Sequence, residues 1–80
     1  MKIDMDALYD AARWRALDAW RRSSPIDTAA ALSDLRAIAA VLEQQWSLAR
    51  TAELDELLGS VRQCITRVDR ALRAGLVPRV

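Results

Sequence analysis

The chain contains no histidine and no phenylalanine, one cysteine, and only two glycines and two prolines in 80 residues. Each scarcity removes a class of protein. Without histidine, the usual general base at neutral pH and the commonest metal-binding imidazole are both missing. The lone Cys64 cannot close an internal disulfide, which excludes a stapled secreted miniprotein and fits a reducing cytoplasm. Two glycines leave nothing from which to build a phosphate-cradling loop. No apolar run approaches the roughly 18 residues that cross a bilayer. At the N-terminus, Asp4 and Asp6 stand where a signal peptide would carry bases, and no lipidation motif is present at either end. Twelve basic against eleven acidic residues give a net charge of +1, too small for a strongly steering field.

Catalytic and metal chemistry have little left to stand on. Adjacent carboxylates such as Asp55 and Glu56 diverge by about 100° on a helix and cannot act as a facing pair. No inward-facing carboxylate set suggests a metal centre. The expectation is no enzyme, no cofactor, no metal and no small-molecule substrate.

What is present is apolar and helix-forming. Apolar residues make up 52% of the chain, too many for a solvated tail, and charged residues make up 29%. Alanine occurs fifteen times, and every base except Lys2 is arginine, a bias that a GC-rich genome explains as well as any need for guanidinium groups. The length allows one small domain over residues 1–80. A core of this size supplies only about 3–5 kcal/mol without staples, so regular helix packing or a partner chain must add to it.

The pattern predicts an all-α fold, a small antiparallel three-helix bundle, with a long helical hairpin plus an accessory helix as the alternative. Ser24-Pro25-Ile26-Asp27 supplies an N-cap, a proline at the first helical position and an acid three residues on. Helix 1 is therefore expected over residues 4–22 and helix 2 over 25–49. A main stripe of Met5, Leu8, Tyr9, Ala12, Ala16, Ala19 and Trp20 marks the inward face of helix 1. Leu32, Leu35, Ile38, Ala39, Leu42, Trp46 and Ala49 mark that of helix 2. Helix 3, over 52–74, carries Leu54, Leu58, Val61, Ile65, Val68 and Leu72 in a 4-3-4-3-4 rhythm. This stripe is out of phase with that of helix 2, which places a turn at 49–52 with Thr51 as N-cap. A rival break at Gly59 is disfavoured because the apolar rhythm runs through it unbroken. Gly75 should end helix 3, leaving an apolar tail over 76–80 that docks on a neighbour or frays.

Apolar residues remain after these stripes are assigned. Trp14 lies opposite Met5 on helix 1 with Leu17 on its flank, and Val41 and Leu48 lie opposite Leu35 on helix 2. Tryptophan is enriched where binding energy concentrates. The expected function is a non-enzymatic protein–protein interaction module, an adaptor, chaperone-like subunit or inhibitor acting through an apolar helix face. Its contact residues would be Trp14, Leu17, Val41 and Leu48, with Arg13 and Arg21 on the rim. Its partner would be another protein, itself as a homodimer, or both in an obligate complex, with no membrane involved. The alternative is a small helical DNA-binding regulator using Arg13, Arg15, Arg21 and Arg22 and the later cluster Arg62, Arg67, Arg70 and Arg73. Against it, acids open both helices and bases close them, an order that complements the helix dipole and accounts for the arginines without nucleic acid.

Overall fold

The computed structural model describes residues 4–75. It contains three helices, α1 (Met5–Arg21), α2 (Pro25–Leu48) and α3 (Ala52–Arg73), and no strand among the described residues. The small antiparallel helical bundle expected from the pattern is present. Each start is set by a local device: Asp4, Ser24 and Thr51 accept from the backbone N–H groups of Ala7, Asp27 and Leu54. Asp27 does not complete a reciprocal capping box, because its carboxylate pairs with Arg22 at 3.1 Å. Ser23 takes a left-handed φ of 56° to make the first turn. At the other end Gly75 (φ 66°) donates its N–H to the Leu72 carbonyl, closing α3 as its position suggested. Gly59 lies inside α3, so the break falls at 49–51. The tail over 76–80 lies outside the described residues.

Ion pairs fix how the helices lie. Arg22–Asp27 and Arg15–Asp34 lock α1 to α2, and each pair lies one heptad from the other on both helices. Arg36–Asp69 and Glu43–Arg62 lock α3 to α2 with the same seven-residue step. Both outer helices therefore run antiparallel to α2 and parallel to each other. Asp18–Arg22 and Asp69–Arg73, each four residues apart, also pair. These pairs are exposed except at Asp69, which is half-buried, so they mark register more than they add stability.

Leu35, Leu42 and Val61 are the large side chains wholly removed from solvent, joined by Ala12, Ile38, Ala39 and Leu58. α1 enters this core mainly through Ala12, Ala16 and Ala19. Their methyls allow close approach to α2 but cover little width. Leu8 and Trp20, assigned above to the inward stripe of α1, are accordingly exposed at 45% and 43%. Trp46 and Ala49 also depart from expectation. Trp46 is half-buried at the edge of the core, and Ala49 is the exposed C-cap of α2. α1 and α3 each pack along α2 but barely touch each other.

Candidate functional site: the cleft between α1 and α3

Because alanines hold α1 against α2, its outer turns are free to diverge from α3. The Tyr9 hydroxyl donates to the Ser60 carbonyl at 3.4 Å, bridging the two helices near their N-terminal halves. Beyond this bridge a cleft of about 370 Å³ opens toward the C-terminal turns of both. Arg13, Ala16, Leu17 and Trp20 form one wall, and Cys64, Arg67, Val68 and Ala71 the other. Thr28 of α2 lies beneath, its hydroxyl donating to the Ser24 carbonyl at 2.8 Å, so the floor holds no unanswered polar group.

The electrostatics are simple. Burial pushes the Cys64 thiol up from its ordinary range, while Tyr9, Arg13 and Arg67 pull it back. Tyr9 is likewise raised, chiefly by burial and then by Cys64, against the pull of the same two arginines. A protonated thiol is a poor nucleophile, and this one behaves as a small hydrophobe. Arg13 pairs with Asp10 at 2.6 Å and lies 5.9 Å from the Tyr9 ring centroid. Arg67 makes no ion pair among the described residues. The cleft is thus an apolar slot edged by two guanidinium groups. Among the described residues, no cluster of His, Cys, Asp or Glu could hold a metal ion.

The six residues singled out from the sequence do not form one surface. Trp14 lies two residues from buried Ala12 and two from buried Ala16, so it points straight away from the core and is 55% exposed. Leu17, 38% exposed, lies three residues from both Trp14 and Trp20 and joins them. Trp14, Leu17 and Trp20 thereby form an apolar ribbon passing over α1 into the cleft. Arg13 precedes Leu17 by one turn and Arg21 follows it by one, so these four predicted residues do share the outer side of α1. Val41 and Leu48 do not join them: neither lines the cleft, Val41 is exposed on α2, and Leu48 borders a second groove with Met5, Leu54 and Leu57 near the α2–α3 turn. Trp20 and the α3 wall were missed. Trp20 continues the spacing of Ala16 and Ala19, and nothing in that spacing shows that α3 turns aside.

The arrangement defines a class of molecule, a small all-α bundle with a cleft open between α1 and α3 among the described residues. In comparisons with known proteins, no family model, curated protein or solved structure matches the chain. No helix among the described residues is long and apolar enough to cross a membrane.

Proposed function

We propose that this protein is a non-enzymatic interaction module of the cytoplasm that receives an apolar, acid-bearing helix of a partner protein in the α1–α3 cleft. The observation that carries this reading is the apolar ribbon Trp14–Leu17–Trp20 leading into a slot flanked by Arg13 and Arg67. A helix laid in the slot would replace the contacts that α1 and α3 fail to make with each other, the helix-in-groove mode of recognition. Leu17 and Trp20 are the anchors, and Trp14 extends the contact onto the shoulder. The two guanidinium groups favour carboxylates on the incoming segment and set its orientation more than its affinity. The DNA-binding alternative draws less support, because Arg13, Arg15, Arg22, Arg36, Arg50, Arg62 and Arg73 each already pair with an acid.

Site-specific photo-crosslinking in host cells tests the proposal, with the photoreactive residue at Leu17 or, as a control, at Thr66 outside the cleft. The expected result is a discrete adduct from Leu17 that disappears when Arg13 and Arg67 are both changed to Glu. Equal labelling from both positions, or an adduct indifferent to the charge reversal, would overturn it.

A further inference from the structure

The three helices hold three corners of an up-down four-helix bundle. α1 and α3 run parallel to each other and antiparallel to α2, and each packs along α2 and scarcely on the other. In such a bundle that is the relation between diagonal helices, whose neighbours all run the opposite way. The α1–α3 cleft is the corner diagonal to α2.

The cleft also has a direction. The Tyr9–Ser60 hydrogen bond closes it toward the starts of α1 and α3. From that bond to Trp20 on α1, or to Ala71 on α3, is eleven residues on either wall. That is about 17 Å, or roughly three helical turns.

Charge is spread unevenly over this length. Arg13, toward the closed end, is engaged by Asp10 at 2.6 Å. Arg67 lies two turns beyond Ser60, and Arg70 follows one turn later. The arginines of α3 that pair with acids among the described residues are Arg62 and Arg73, which leaves Arg67 and Arg70 without one there. Arg21, in the last turn of α1, likewise makes no ion pair among the described residues. The unengaged cations therefore gather toward the open end, where the carbonyl ends of both wall helices also lie.

We infer that the partner segment is a helix of roughly three turns lying parallel to α2, its N-terminus at the open end and its carboxylates in its first turns. The inference rests on the reading of the cleft as a helix-binding site and adds the direction, length and charge order of the bound segment. Three effects point the same way. A helix so placed is antiparallel to both walls, so its dipole opposes theirs. Acids in its first turns suit its own dipole and come level with Arg67, Arg70 and Arg21. Reversed, it would need acids in its last turn, against its own dipole, to meet the same arginines.

The test places a photoreactive residue at Gln63, near the closed end, or at Ala71, near the open end, of the full chain in host cells. The two positions are about 12 Å apart along α3. The adducts are digested and the attachment points on the captured segment are sequenced. The expected result is one segment of another protein, labelled from Ala71 about eight residues N-terminal to the point labelled from Gln63. Asp or Glu should stand in the turn beside the Ala71 attachment. Arg70→Glu should cut both yields at least about fivefold, with circular dichroism checking that the helices are intact.

The opposite order along the segment would overturn the inference and leave the helix-binding reading standing. So would labelling from at most one of the two positions while Leu17 still labels, or an Arg70→Glu chain that labels as the parent does. Attachment points about four residues apart, the spacing of an extended strand, would overturn the helix-binding reading as well. Adducts on this chain itself, or no adduct from any cleft position, would do the same.

Discussion

The indole N–H of Trp46 donates to the Asp55 carboxylate across the turn that joins α2 to α3. Arg50 lies over the same ring, 4.8 Å from its centroid, and its Nε reaches the other Asp55 oxygen at 3.4 Å. Trp46 therefore closes the end of the bundle as a lid held by polar contacts at its rim. Full core truncation of tryptophan costs about 3–5 kcal/mol, and half-burial brings the expectation for Trp46→Ala to about 2–3 kcal/mol. Trp14→Ala, on the outer face of α1, should stay within about 0.5 kcal/mol. Urea unfolding of the two variants, compared at low protein concentration, checks the pair. Equal losses would mean that Trp14 is part of the core.

The two glycines should respond in opposite directions. Gly59 is internal to α3, and a methyl group added there would meet nothing within 4 Å. Gly59→Ala should stabilise the fold by about 0.5–1 kcal/mol through helix propensity and a less flexible unfolded chain. Gly75 sits at φ 66°, which a Cβ resists. Gly75→Ala should cost about 1 kcal/mol. Thermal melting of both variants shows whether the signs are as stated.

The caps give a third expectation. Thr51→Ala and Ser24→Ala each leave a helix N-terminal N–H without its side-chain acceptor and should cost about 1 kcal/mol. Ser60→Ala removes only a back-bond to the Glu56 carbonyl within α3 and should cost far less. Amide exchange can locate the damage, with faster exchange confined to the first turn of α2 or α3.

Stability should fall in alkali. Burial raises both the Cys64 thiol and the Tyr9 hydroxyl in the folded chain, so the folded state holds these protons more tightly than the unfolded one. Below the unfolded thiol value, about pH 8.5, both states are protonated and neither group contributes a slope. As pH rises from there through the folded values, the unfolded state loses its protons first and the stabilisation disappears. Urea midpoints measured from neutral pH upward should decline, and Cys64→Ser should delay the onset of the decline. A midpoint that rises with pH would contradict the burial of this pair.

How legible each part was depends on how local its cause is. Ser24-Pro25, Thr51 and Gly75 act within a turn of themselves, so the helix limits could be read to within about a residue. The strongly two-sided pattern of α3 likewise announced its inward face. The placement of α1 around α2 could not be read this way. Its contact stripe is alanine, whose methyl buries little wherever it points, so nothing in the spacing separates Ala16, which is covered, from Trp20, which is not. The cleft exists because α3 declines to cover the last turns of α1, each of the two packing along α2 and scarcely on the other. Val41 and Leu48 were read correctly as surplus to the core. Their separation from Trp14 follows from the same three-way arrangement.

The alanine seam has a consequence for the shape of the cleft. Its width depends on how closely α1 rests on α2, and so on the buried methyl groups of Ala12, Ala16 and Ala19, of which Ala16 also lines the cleft. Exchanging one of them for valine would push α1 outward and reset the aperture while every other side chain of the cleft kept its identity.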